Sequence, residues 1–263
     1  MTIIRDRVRV DIETSLARVA LSRPEKYNAL DMDMLLALAE AAKLVRRQRA
    51  VRAVVVHGEG KAFCAGLDFA SVTRRPMKIL SAFLPWWRKD NLFQRLCLAW
   101  RDLPVPVIAV THGYCFGGGL QLALGCDFRF SSGDCRYSVM EIEWGLIPDM
   151  GASVTLRDLV AVDVALDLTL TGRQFDAAEA LKLGLVTRIE EEPMEAALGF
   201  AKQIASRSPD AVKAAKKLLH STRSGSERRA LRRERWLQLG LLLGRNQREA
   251  MRARLEKRKP DFR

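Results

Sequence analysis

Three carboxylic acids stand in an unusually apolar stretch of this chain, Met140-Glu141-Ile142-Glu143-Trp144-Gly145-Leu146-Ile147-Pro148-Asp149. Apolar neighbours desolvate a carboxyl, raise its pKa and ready it for proton transfer near neutral pH. Upstream lie two loops rich in small residues. In Lys61-Ala62-Phe63-Cys64-Ala65-Gly66-Leu67-Asp68, the Ala65-Gly66 pair lets a ligand come close to the backbone. In Gly113-Tyr114-Cys115-Phe116-Gly117-Gly118-Gly119, a run of glycines opens a predicted helix, whose first amides have no partner inside the helix. Two amides converging from separate loops make an oxyanion hole, where one donor is worth roughly 2.7–4 kcal/mol of transition-state stabilisation. The same glycines would also serve a phosphate cradle or close packing. The lysine of a P-loop and a GxGxxG are both missing, which disfavours nucleotide-dependent phosphoryl or hydride transfer.

The elements that must position these residues belong to a chain of 263 residues, 48% of them hydrophobic. That content excludes a disordered chain and is ample for a well-buried core. The apolar runs at 79–87 and 236–243 are shorter than the roughly 20 residues a membrane span needs. Residues 1–10 are charged, so no signal peptide is expected. Cys64, Cys97, Cys115, Cys126 and Cys135 are scattered without metal-ligand spacing. They read as reduced thiols of a cytoplasmic protein, and no metal is expected.

The net charge of +13 is concentrated at the C-terminal end. Residues 201–263 hold 19 of the 44 Lys and Arg but 6 of the 31 Asp and Glu. Such a region meets an acidic or phosphorylated partner, or is a solvated helical surface. Its only aromatics are Trp236 and Phe262, so base stacking has no platform and nucleic acid is not expected as a partner.

Alternation and turn residues predict strands at 8–12 and 18–21. Asp31 is placed to cap a helix running to Arg47, with Leu38, Ala41, Ala42 and Val45 on one face. Residues 51–57, 104–111 and 126–131 read as buried parallel strands. Residues 75–103 read as irregular helix, and from Val154 onward the pattern is mainly helical. This order implies an α/β core followed by a helical region, drawn at 1–200 and 201–263.

Taken together, LSRPEKYNAL (21–30), KAFCAGLDF (61–69), GYCFGGGLQLALGCDFRF (113–130), EIEWGLIPDMG (141–151), LTGRQFDAAEALKLGLV (170–186) and MRARLEKRKPDF (251–262) resemble the crotonase family, also called the enoyl-CoA hydratase/isomerase family. The resemblance implies a spiral of ββα units with a helical C-terminal trimerisation region, trimers that pair into hexamers, and an acyl-CoA thioester substrate. Coenzyme A is then part of the substrate and no separate cofactor is implied. Carried onto this chain, the two amides that hold the thioester oxygen belong to Ala65 and Gly118. Lys26, Ala62, Gly66, Leu67, Asp68, Gly117 and Gln121 fall in the substrate-binding set.

The resemblance also marks departures. Hydratases of the family use two glutamates. The second is present as Glu141, registered by Gly145, and Glu143 falls out of register and reads as structural. The first position is Gln121, which hydrogen-bonds water but does not take its proton. Asp149 occupies a position where dienoyl-CoA isomerases of the family carry Asp, and a Pro-Asp turn is its structural alternative. Glu141 and Asp149 as a proton shuttle fit double-bond isomerisation best. Addition of water, with Gln121 orienting it, is the second reading. A CoA-ester-binding protein with little or no hydratase activity, because Gln121 replaces a catalytic Glu, is the alternative to an enzyme. Phe83, Trp86 and Trp87 fall where the family walls its acyl pocket, which implies a bulky or aromatic acyl group.

Overall fold

The computed structural model describes residues 1–72, 82 and 89–262. The expected pocket wall at Phe83, Trp86 and Trp87 lies outside them. The chain begins with β1 (Thr2–Ile4), β2 (Val8–Glu13) and β3 (Leu16–Leu21), an antiparallel meander. After α1 (Met32–Arg47) the strands β4 (Ala53–Gly58), β5 (Val107–Thr111), β7 (Phe128–Ser131) and β10 (Arg188–Ile189) continue the sheet in parallel, in the order β1-β2-β3-β4-β5-β7-β10. A smaller sheet pairs β6 (Tyr114–Phe116), β8 (Arg136–Ser138) and β9 (Phe175–Asp176). Helices α2 (Leu92–Arg101), α3 (Gly118–Leu124), α4 (Ala152–Leu159), α5 (Val162–Thr171), α6 (Ala177–Lys182) and α7 (Pro193–Ala205) intervene, and α8 (Pro209–Thr222), α9 (Glu227–Leu242) and α10 (Arg245–Leu255) close the chain.

Alternation along the central strands explains why both faces of the sheet are covered. Val54, Val56, Val107 and Ala109 point into the larger core, with Leu35, Leu38, Ala41 and Val45 of α1. Ala53, Val55, Ile108, Val110 and Phe130 point the other way, where Ala197 and Ala201 of α7 cover them. Parallel strands clothed on both sides read as continuous apolar runs. Asp31 caps α1 as expected, its Oδ1 accepting the Met34 N–H at 2.8 Å. The boundary expected at residue 200 falls inside α7, whose Ala201 shares the core; the helix belongs to the sheet as a unit. The small sheet has no counterpart in the sequence reading, because strands of two or three residues are too short to display a two-residue period.

Part of the C-terminal positive charge is internal. Lys216 of α8 is partly buried and donates to Asp127 Oδ2 at 2.6 Å and to the Val105 carbonyl at 2.8 Å, and His220 Nε2 lies 2.8 Å from Asp127 Oδ1. These contacts dock α8 onto the β5 to β7 region. Among the described residues no helix is long and apolar enough to cross a membrane, and no cluster of His, Cys, Asp or Glu has the arrangement of a metal site.

Candidate active site

The site lies where the chain passes from the large sheet to the small one. Cys64 donates its N–H to the Tyr114 carbonyl at 2.9 Å, and Phe116 N–H returns to the Cys64 carbonyl at 3.0 Å. The 61–68 loop and the 113–119 loop therefore run side by side. They come so close at Gly119 that a Cβ there would meet the Cys64 carbonyl oxygen at 2.5 Å and the Cys64 Cβ at 2.7 Å. Only the absence of a side chain permits this approach.

The segment 23–30 buttresses the first loop from behind. Tyr27 and Asn28 adopt left-handed backbone, with φ of 49° and 56°. Asn28 is fully buried; its Nδ2 donates to the carbonyls of Glu59 at 2.9 Å and Ala62 at 2.8 Å, and its Oδ1 accepts Arg23 N–H at 2.8 Å. Asparagine tolerates this backbone and satisfies the groups around it. Replacing Asn28 by Ala leaves several buried groups unpaired, and we expect a stability loss of about 2–4 kcal/mol in denaturant titration. A loss below about 0.5 kcal/mol would contradict this buttressing role.

This geometry corrects one sequence expectation. The Ala65 N–H does not face the cavity; it donates to the Tyr27 carbonyl at 2.9 Å. Two residues later the orientation is reversed. Leu30 N–H donates to the Gly66 carbonyl and Asp68 N–H to the Leu30 carbonyl, bracketing Leu67 in a one-residue bridge. Among the described residues the Leu67 N–H has no acceptor, and neither does the Gly118 N–H at the first position of α3. Both residues line the same cavity. The pair of free amides is thus Leu67 and Gly118. In regular extended backbone the N–H groups of residues 65 and 67 would share one side; Gly66 between them, at φ 92°, breaks that alternation, and the pairing with 27–30 that uses up the Ala65 N–H is not displayed by the sequence.

The cavity measures about 630 Å³ and is walled largely by apolar side chains, among them Phe69, Phe93, Met140, Leu146 and Ile147. Trp144 stacks on Phe69 at its side, ring centroids 4.2 Å apart. Its size and character suit an apolar small-molecule group. Gly66, Gly117 and both carboxylic acids, Glu141 and Asp149, also line it. Glu143 lines it as well, from an exposed position.

Glu141 starts a short 3₁₀ turn, Glu141–Trp144, that ends on Gly145 in left-handed conformation. It is buried, and burial, with Asp149 adding like charge, pushes its carboxyl above the ordinary range. Its Oε1 accepts Gln121 Nε2 at 2.6 Å, which favours the anion and works against that rise. Its Oε2 is buried without a partner among the described residues. Asp149 is half-buried and its carboxyl is also raised by burial.

Other members of the expected substrate-binding set lie elsewhere. Gln121 sits behind Glu141, buried, and does not line the cavity. Asp68 is engaged by Arg23 Nη1 at 2.8 Å and Ser71 N–H at 3.1 Å; although burial raises its carboxyl, these contacts bring it below the ordinary range. Ala62 is fully buried, its carbonyl taken by Asn28. Lys26 is exposed on the turn Pro24–Lys26 and does not line the cavity. Sequence reasoning missed Asn28 and the amides of Met150 and Ala152, which hold Gln121. The position of Asn28 within RPEKYNAL was available as a signal, but its contacts were not.

The family model described as Enoyl-CoA hydratase/isomerase matches residues 11–263. The chain belongs to the enoyl-CoA hydratase/isomerase family. It is 36% identical over 257 residues to a Rhizobium meliloti protein named "Probable enoyl-CoA hydratase", covering 96% of each chain. It is 30% identical to the peroxisomal Delta(3,5)-Delta(2,4)-dienoyl-CoA isomerase of Arabidopsis thaliana, covering 97% of this chain and 95% of that one. The crystal structure of enoyl-CoA hydratase from Bacillus anthracis superposes with a TM-score of 0.89 at 28% identity, over 97% of this chain and 98% of the other. The α/β crotonase-type fold and an enzymatic role follow from these matches, and the reading as a binding protein without activity is not favoured. Relatives named for hydration and for isomerisation both stand at similar distance, so the choice between the two reactions rests on the site of this family member.

Proposed function

We propose that this enzyme relocates a double bond in an enoyl- or dienoyl-CoA thioester. The observation that carries the reading is the pairing of two raised carboxyls, Glu141 and Asp149, in one apolar cavity, with a glutamine rather than a second glutamate against Glu141. The thioester carbonyl docks between the Leu67 and Gly118 N–H groups. Glu141 removes a proton from the acyl chain, and the C–H electron pair passes through the conjugated system onto the thioester oxygen as an enolate. The two amides hold that negative charge in surroundings of low dielectric. Asp149, in its protonated form, returns a proton at the other end of the conjugated system as the enolate collapses, and the double bond is left in its new place. No atom is gained or lost.

The C-terminal helices support self-association as a homotrimer or hexamer. Leu231, Trp236, Leu239, Leu242 and Leu243 are exposed large apolar side chains on or beside α9, and such a patch is what an interface between copies covers. A cytoplasmic setting fits the five free, buried cysteines. Lys26 is our candidate for a contact to a phosphate of coenzyme A, supported by its exposure next to Tyr27, whose carbonyl holds the 61–68 loop.

The test is incubation with a panel of 2-enoyl-, 3-enoyl- and 3,5-dienoyl-CoA thioesters in heavy water, read by mass spectrometry. Isomerised thioester carrying solvent deuterium, without gain of a water, is the expected product, and Asp149→Asn lowers its rate by about 10²-fold or more. A predominance of 3-hydroxyacyl-CoA would overturn the reading.

A further inference from the structure

Resting on the proposal that Glu141 is the base, we infer that Gln121 is a positioning residue that gives Glu141 a single working oxygen: Oε1 is held as a hydrogen-bond acceptor, and Oε2 alone is left to take the substrate proton. The inference comes from the direction of three hydrogen bonds. Gln121 is 2% exposed, in the interior of α3. Its Oε1 accepts the backbone N–H of Met150 at 2.8 Å and of Ala152 at 3.3 Å. Backbone amides only donate, so the side-chain oxygen must face them and the NH₂ must face the other way. That NH₂ stands 2.6 Å from Glu141 Oε1. It has no lone pair to offer, so Oε1 is fixed as an acceptor and carries no proton. The carboxyl proton, when present, sits on Oε2, the atom left without a partner among the described residues.

The arrangement also decides how many protons the site holds. Among the described residues the titratable groups near Glu141 are Asp149, which lines the same cavity, Glu143 on its own turn, and the buried thiol of Cys97 from α2, itself held un-ionised by burial. None of these is a cation, and among the described residues no ion pair keeps Glu141 ionised. A backbone hydrogen bond at Glu141 itself and the donor from Gln121 both favour its anion, and Gln121 is the side chain that does so. A glutamate at 121 would keep both bonds from Met150 and Ala152, because its carboxylate accepts as the amide oxygen does. It would then set a second oxygen against Glu141 Oε1 at a separation two anionic oxygens do not tolerate, and the pair would take up a shared proton. Glu141 would serve as a base only after that proton had left, at higher pH. The glutamine therefore leaves Glu141 one unpartnered oxygen and sets no additional titrating group against it, which suits proton relocation within an acyl chain.

Gln121→Glu is the deciding variant, since it preserves shape and the two backbone bonds. Its rising limb of kcat against pH is expected to move upward by about one unit, with kcat at pH 7 about tenfold lower and KM within about twofold of the parent. A limb and kcat that superimpose on those of the parent would overturn the inference. A second measurement needs no variant at 121: the infrared difference spectrum of the parent minus Glu141→Gln, recorded at pH 8, is expected to show no protonated carboxyl band for Glu141, and such a band would overturn it too. The two levels of the proposal fail separately. If Glu141→Gln keeps full turnover, the assignment of the base is wrong; if it is inactive while Gln121→Glu has the parent's pH profile, only the role of Gln121 falls.

Discussion

Glu141→Gln is expected to lower turnover of enoyl-CoA thioesters by about 10²–10⁴-fold while thioester binding stays within about twofold, the loss characteristic of a general base. The amide is isosteric with the carboxyl, and its oxygen still accepts from Gln121 Nε2, so the turn Glu141–Trp144 keeps its anchor. What disappears is the atom that takes the proton. The pH dependence of the parent follows from the same burial. A base works as its anion, and burial raises the Glu141 carboxyl. Turnover therefore climbs with pH through a limb lying above the ordinary carboxylate range. Seen as stability, the shift has the opposite sense. The folded state favours the protonated acid, so this contribution is present below the ordinary carboxyl pKa and is lost as pH rises through the raised value. Above that raised value the buried anion opposes folding, and Glu141→Gln is there expected to melt no lower than the parent. Steady-state kinetics and thermal unfolding on the same samples check both statements. Turnover within threefold of the parent would remove Glu141 from the mechanism.

Gly119→Ala is the second substitution with a large expected effect, although residue 119 touches neither the proton nor the thioester. A methyl group there meets the Cys64 carbonyl oxygen at 2.5 Å and the Cys64 Cβ at 2.7 Å, separations no real contact sustains. Backbone does not swing aside as the end of a flexible side chain does. The loop that carries Leu67 is consequently driven away from the start of α3, which carries Gly118, and the two free amides no longer converge. Loss of one oxyanion donor costs about 10²–10³ in kcat, and overpacking of this kind costs about 1–3 kcal/mol of stability. Gly118→Ala serves as the comparison. Its added Cβ meets Met150 Sδ at 2.7 Å and Leu30 Cδ1 at 2.9 Å, both at the ends of flexible side chains, so a smaller loss is expected. Turnover of Gly119→Ala equal to that of the parent would show that the spacing of the two loops does not govern the chemistry.

Much of this protein was legible before any coordinates. The apolar runs at 51–57 and 104–111 announced strands buried on both faces, because such strands need no polar side. Asp31 announced the start of α1, because an aspartate ahead of an amphipathic stretch has one obvious acceptor role. The acids in 140–149 and the glycines in 117–119 pointed to the chemistry through the family resemblance they help to carry, since either motif by itself has other uses. The tertiary structure alone decided which amide is free. Ala65 and Leu67 lie two residues apart, and the Tyr27 carbonyl takes the first while pairing with Leu30 leaves the second open. It alone also turned Gln121 from a presumed substrate contact into the support of Glu141, through bonds from Met150 and Ala152, some 30 positions along the chain. A sequence specifies which groups each residue offers; the partners that use them up come from distant segments brought together by folding, and only the groups left over do chemistry.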